Sequence, residues 1–196
     1  IRQRILRLNQ KDLRFAQDEI IRFYQARGHT LGGEDVKRVE DYTEGWAASL
    51  VAIAMSMERG DRDAIAALPR ASRDIERYLR DEVIGAWRPE KREFAMKTSV
   101  LDTLSAPLCD AVTRGHDARA MLNELSEGNS FITVLDEETQ EYRYHHLFRS
   151  LLHTLLNETF PDQIPDLHKR AARWYQTQGH ISRTIEHLLS GGAYDE

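Results

Sequence analysis

The sequence predicts a mainly α chain: a helical subdomain, then a winged-helix domain with one β-hairpin, then the start of a helical-repeat (TPR-like) array. Three observations predict it. Apolar residues recur at helical spacing along most of the chain, most plainly at Leu147, Leu151, Leu152, Leu155 and Leu156 on one face. Two β-rich runs, 131–135 and 142–144, flank an acidic turn at 136–141 and lead directly into that leucine-faced helix. Three short helical patterns, punctuated by Gly and Pro, stand immediately before the hairpin, and three short helices followed by a two-stranded wing make a winged helix.

Taken in order, Ile1 to Leu8 alternate apolar and basic residues with no partner strand nearby, so 1–14 is expected to be the tail strand of a domain lying upstream. A first helix, 15–27, carries Phe15, Ile20, Phe23 and Tyr24 and ends at Gly28. A second, 34–42, follows the Gly32-Gly33 turn and places Glu34 and Asp35 where the helix dipole favours anions. Thr43-Glu44-Gly45-Trp46 opens a third, 46–57, whose apolar run is broken by Ser49 and Ser56 and falls short of the ~20 residues of a membrane span. Residues 60–73, with Pro69, are expected to be an exposed loop, and 74–84 a helix burying Ile75, Tyr78, Leu79 and Val83. Residues 15–85 thus form the helical subdomain.

The winged-helix domain is predicted over 86–160. Its helices are 89–98, with Pro89 in the first turn, then 107–113, then 116–127 with Ala118, Met121, Leu122 and Leu125, before the hairpin and the leucine-faced helix. In 161–196, two helices around Gly179 carry Leu167, Ala171, Trp174 and Tyr175, the beginning of a helical-repeat array.

Composition narrows the function. The 196 residues are 41% hydrophobic and 30% charged, an ordinary globular balance. The formal charge of −5 argues against a chain built to grip nucleic acid nonspecifically. The single cysteine, Cys109, forms neither an internal disulfide nor a cysteine zinc site, and a reducing cytoplasmic location is expected. The third winged-helix segment offers Arg119 among Asp117, Glu124 and Glu127, a poor surface for a major groove. The arginine-rich stretches near 70–80 and 88–97 alternate with acids and are expected to be solvated faces. His145, His146 and His153 lack an acidic third ligand on the same face, so no metal site is expected. No catalytic arrangement stands out either.

The most pointed chemistry lies in Tyr142-Arg143-Tyr144-His145-His146-Leu147-Phe148-Arg149, where two imidazoles meet the start of a helix. Backbone N–H groups there receive anions well, which raises the question of a phosphate.

Several segments together resemble a known family. Thr43-Glu44-Gly45-Trp46-Ala47-Ala48-Ser49-Leu50 resembles the helical-subdomain signature of the large maltose-activator-like (MalT-like) regulators of the LuxR type. Leu108-Cys109-Asp110-Ala111-Val112 and Tyr142-Arg143-Tyr144-His145-His146-Leu147-Phe148 resemble its winged-helix signatures. Met121-Leu122, Leu125, Asn129, Phe131 and Leu167-His168-Lys169-Arg170-Ala171-Ala172-Arg173-Trp174-Tyr175 match in the same order. That family belongs to the signal-transducing ATPases with numerous domains, relatives of the NB-ARC switches. The resemblance implies a segment of an ATP-dependent transcriptional activator, with a P-loop NTPase domain before it, a helical-repeat sensor after it, and a C-terminal LuxR-type module that binds DNA. ATP or ADP with Mg is implied for the full-length protein and no cofactor for the segment alone, which lacks Walker A and B motifs and is not expected to be an enzyme.

By the same resemblance, Gly45, Trp46 and Ala47 take the place of the Gly-Leu-Pro turn that lies against nucleotide in the NB-ARC relatives, with Ala47 where proline is common. Tyr144-His145-His146 takes the place of a Met-His-Asp signature, which makes His145 the residue that meets the β-phosphate of ADP; His146 replaces the acid. Implied partners are the chain's own NTPase domain, its sensor and a small-molecule or protein effector, with homo-oligomers in the activated state, DNA only through the LuxR-type module, and no membrane. The rival readings are a stand-alone winged-helix DNA-binding protein and an interaction scaffold without nucleotide contact.

Overall fold

A computed structural model describes residues 14–60, 63–128, 131–136 and 138–192. The strand expected over 1–14 therefore lies, but for Arg14, outside the described residues, as does Asn129. The backbone divides into two compact units, 1–81 and 82–196.

Among the described residues of the first unit, four helices follow one another: α1 (Gln17–Gln25), α2 (Gly33–Thr43), α3 (Ala47–Glu58) and α4 (Ala64–Tyr78). Glu19 reaches back to accept the Ala16 N–H at 2.9 Å, satisfying one orphan donor at the start of α1. Gly28, at φ +80°, ends that helix in the left-handed region. The core is built from Ile20 and Tyr24 of α1, Val36 and Val39 of α2, Leu50, Ile53, Ala54 and Met57 of α3, and Ala67 and Ala71 of α4. Tyr24 is the one polar side chain in that set. Its hydroxyl donates to the Leu50 carbonyl at 3.1 Å, and burial holds its acidity well below that of a solvated phenol.

Two expectations fail on the fourth helix. Residues 64–73 are helical rather than an exposed loop, and the helix runs through Pro69 despite the missing N–H. The inward face here is made of Ala67, Ala71, Ile75 and then Leu79, all buried. After Leu79 the helix widens into a π-helical segment, Leu79–Ile84. Within it Ile84 is buried, 2% exposed, and Val83, expected inside, is only half-buried. Tyr78, expected inside, is 52% exposed.

The second unit begins with α5 (Pro89–Thr98), α6 (Ala106–Thr113) and α7 (Ala118–Gly128). Asp110 of α6 accepts the Ala118 N–H at 3.0 Å, so one short helix caps the next. The strands β1 (Ile132–Asp136) and β2 (Glu141–Tyr144) pair antiparallel, Ile132 opposite Tyr144 and Val134 opposite Tyr142, with an irregularity at Leu135. Asp136 accepts the N–H groups of Glu138 at 2.8 Å and Thr139 at 3.3 Å, which closes the tip of the hairpin. On the other edge of β2, Leu104 exchanges two backbone hydrogen bonds with Tyr142, at 2.7 and 2.9 Å. This bridge adds a third strand-like element to the wing.

The helices α8 (His146–Thr159), α9 (Ile164–Thr177) and α10 (Ile181–Ser190) complete the unit. Phe148 of α8 anchors the wing: it stacks on Phe131 at 4.9 Å and meets Tyr144 and Trp87 edge-on. The buried Tyr144 hydroxyl lies 2.8 Å from Thr98 Oγ1 of α5, so the polar ends of both side chains are satisfied. Asp102, in the loop after α5, is gripped by Arg149 of α8 and Arg183 of α10. Burial raises the Asp102 carboxyl, but the two guanidiniums outweigh it and hold the group below its ordinary range.

Candidate functional site

The helical-subdomain residues of the candidate site form one turn. Glu44, at φ 48°, and Gly45, at φ +71°, are successive left-handed residues that break the chain between α2 and α3. Trp46 is the residue before the first helical position and Ala47 is that position, exposed to solvent. Gly45 is buried, and its carbonyl accepts the Phe15 N–H at 2.9 Å. A Cβ on Gly45 would stand 2.5 Å from the Phe15 carbonyl oxygen, so glycine is demanded here by packing within the unit. No side chain caps α3, and its first turn carries no acid.

His145 belongs to the second unit, at the end of β2. Its backbone does two jobs: its N–H donates to the Phe131 carbonyl at 2.8 Å, closing the hairpin, and its carbonyl accepts the Arg149 N–H at 2.8 Å, starting α8. The side chain is 1% exposed. Its Nδ1 accepts the Leu147 N–H at 3.3 Å, so His145 serves as its own helix's N-cap. A neutral imidazole that accepts at Nδ1 carries its hydrogen on Nε2. His145 is thereby held as an Nε2–H donor. His146, the first residue of α8, stacks on the His145 ring at 4.6 Å.

The structure thus places Gly45, Trp46 and Ala47 together in one turn, and His145 with His146 in one stack. The donor tautomer of His145 suits a phosphate oxygen. Gly45 is accounted for by Phe15, so it adds less to the argument for a ligand. His153, farther along α8, engages Asn157 of the same helix at 3.0 Å.

The third helix of the winged helix is engaged within its own unit. Glu124 pairs with Arg88 at 2.5 Å and with Lys91 at 3.3 Å, and the hydrogen bond from Arg88 holds its carboxyl below the ordinary range. Arg119 donates to Gln140 at the hairpin, at 2.5 Å. Lys91 corrects the expectation of a solvated face: it is 6% exposed, with its ammonium 4.7 Å from the Trp87 ring centre. Sequence reasoning missed it because Glu124 becomes a neighbour only once α7 folds onto α5, and because nothing in the spacing shows that Trp87, just ahead of the helix, turns its ring to the ammonium. Cys109 is buried, and burial raises its thiol, which makes it inert.

Residues 80–164 match the family model described as the MalT winged helix domain. The serine/threonine-protein kinase PknK of Mycobacterium tuberculosis is 32% identical over 184 residues, covering 92% of this chain and 16% of that protein. The HTH-type transcriptional regulators MalT of Klebsiella pneumoniae and Cronobacter sakazakii are each 27% identical, covering 98% of this chain and 22% of theirs. The chain therefore spans about a sixth to a fifth of the curated relatives it matches. The family match falls on the short helices, the hairpin and α8, and the alignments with the relatives extend over nearly all the rest: this chain is MalT-like, and its residues 80–164 carry the likeness to the MalT winged helix domain.

Proposed function

We propose that this chain is the regulatory segment of an ATP-dependent transcriptional activator of the MalT type, coupling nucleotide state and effector binding to oligomerisation and promoter activation. In this reading a P-loop NTPase domain precedes 15–85, the helical subdomain, and 86–160 is the winged-helix domain. ADP keeps the parts closed, and exchange for ATP, with Mg, releases them for oligomerisation. The output, DNA binding, belongs to a LuxR-type module and not to this segment. The observation that carries the proposal is the place of His145: a buried imidazole where β2 hands over to α8, held there as the N-cap of that helix. A donor that meets the β-phosphate only in the closed state would bias the equilibrium, because a ligand shifts a conformation by its difference in affinity between states. Gly45, Trp46 and Ala47 would supply the second contact, from an α3 start with no acid in its first turn.

The remaining segment, 161–196, is proposed to open a helical-repeat sensor. Ile181, Ile185 and Leu189, 73%, 51% and 54% exposed, make an apolar stripe on the outer side of α10, the face a following helix would cover. The likeness to a protein named as a kinase and to proteins named as transcriptional regulators supports a relay role, since a module shared by two different outputs belongs to the part that senses and transmits.

The test is His145→Ala and His145→Gln in the full-length protein. Loss of ADP retention with raised effector-independent transcription is expected, as removal of one charge-assisted donor costs about 1.5–3 kcal/mol, roughly ten- to a hundredfold in affinity. Unchanged ADP retention and unchanged basal transcription would overturn the reading in favour of a scaffold without nucleotide contact.

A further inference from the structure

A second pair of buried imidazoles lies away from the junction. His168 of α9 and His187 of α10 are 9% and 6% exposed, and their Nδ1 atoms stand 2.9 Å apart. The pair is wedged in place. Tyr175 lies nearly parallel to the His187 ring at 5.5 Å, and a Cβ on Gly191 would come within 3.2 Å of the His168 Cβ. Two nitrogens at that distance must share one hydrogen, one donating and the other accepting. If both Nδ1 atoms carry hydrogen, two donors face each other with no acceptor between them.

We infer that this imidazole pair is a proton-sensitive latch holding α10 on α9, closed while the facing nitrogens share one hydrogen and opened when acid places a hydrogen on each. The surrounding charges oppose extra protons. Arg183 on α10, Arg149 on α8 and His153 on α8 are basic; Asp102 acts the other way on His187, and Glu186, next to His187 on α10, pairs with Arg183 at 3.5 Å. Tyr175 on α9 is buried, and it faces Cys109 of α6, which is also buried and neutral. Asp166 and Arg170 of α9 pair with each other, and Arg114, at the end of α6, pairs with Asp166. Burial first, then the partner His187 with His153 and Arg149, pulls His168 down to about 4, and burial, outweighing Asp102, holds His187 below its usual value.

The direction follows from linkage. A histidine in the undocked helix takes up its proton near pH 6.5, and the docked one does so lower, so the undocked state binds more protons in between. The latch is at full strength above about pH 6.5 and weakens as the pH falls toward about 4. Within that window the undocked fraction rises up to about tenfold per pH unit for each proton taken up. Asp102 and Asp166 are held below their ordinary 3.8, so their own acid loss falls beneath this window.

Amide hydrogen exchange of α10 in the whole chain, corrected for intrinsic rates, tests the latch between pH 7.5 and 4.5. Protection of α10 is expected to fall below 6.5, by up to about tenfold per unit for each proton taken up, and to stay level above it. The double replacement His168→Gln with His187→Gln keeps hydrogen-bonding groups in place, removes both titrations, and should flatten the profile. A level profile in the unmodified chain, or an unchanged slope in the double variant, would overturn the inference. Should the double variant not fold, the ring titrations of the unmodified chain decide. Two independent midpoints near 6.5 would refute the latch, and two depressed, mutually dependent ones would uphold it.

Discussion

His145 shows how one side chain is constrained by two kinds of structure at once. Its backbone ends a hairpin through Phe131 and its ring caps a helix through Leu147, so both its place and its tautomer are determined. A long-range proton–nitrogen spectrum at neutral pH should find Nε2 protonated and Nδ1 bare; the opposite tautomer would remove the donor on which the proposed phosphate contact depends. Gly45 is held just as firmly by Phe15. Gly45→Ala should destabilise the chain by about 1–3 kcal/mol, because it combines a left-handed residue with a 2.5 Å approach to backbone, and thermal unfolding would read this directly. Sequence alone marked both residues, yet not the reasons for them. Gly45 meets Phe15 thirty positions away, and the N-cap bond depends on a rotamer that no spacing reveals. Lys91 was misjudged for a related cause: a lysine between acids reads as solvated until a tryptophan and a distant carboxylate converge on it.

Among the elements, those with strong apolar periods were legible. α1, α3, α8 and the hairpin lie within a residue or two of where their Leu, Ile and Phe spacing puts them. The start of α4 was not, because its inner face is alanine, which contributes little to an apolar period, and because Pro69 reads as a breaker. The π-helical segment after it was invisible for another reason: a five-residue step imitates a misplaced residue in a 3.6-residue pattern. It makes a contrast that urea unfolding can measure. Ile84→Ala should cost about 2–5 kcal/mol, as for a filled core site, and Val83→Ala under about 1 kcal/mol. A continuous α-helix would reverse that order. The third helix of the winged helix has its own consequence. With Glu124 committed to Arg88 and Lys91, and Arg119 to Gln140, little basic surface is left for phosphates. Duplex DNA should run unshifted in a gel with this chain at ~50 mM salt, and a salt-sensitive complex would revive the stand-alone DNA-binding reading.

For the whole molecule, the formal charge of −5 argues against a segment that grips nucleic acid nonspecifically. Among the described residues no helix is long and apolar enough to cross a membrane. One carboxylate has a consequence for how force travels in the second unit. Asp102 divides its grip between Arg183 and Arg149, the latter on the first turn of the helix that His145 caps. If α10 is drawn away, Arg183 leaves with it and Arg149 inherits the whole carboxylate. A tug at the far end of the chain would then be felt one helical turn from the histidine, like a rope passed over a single pulley.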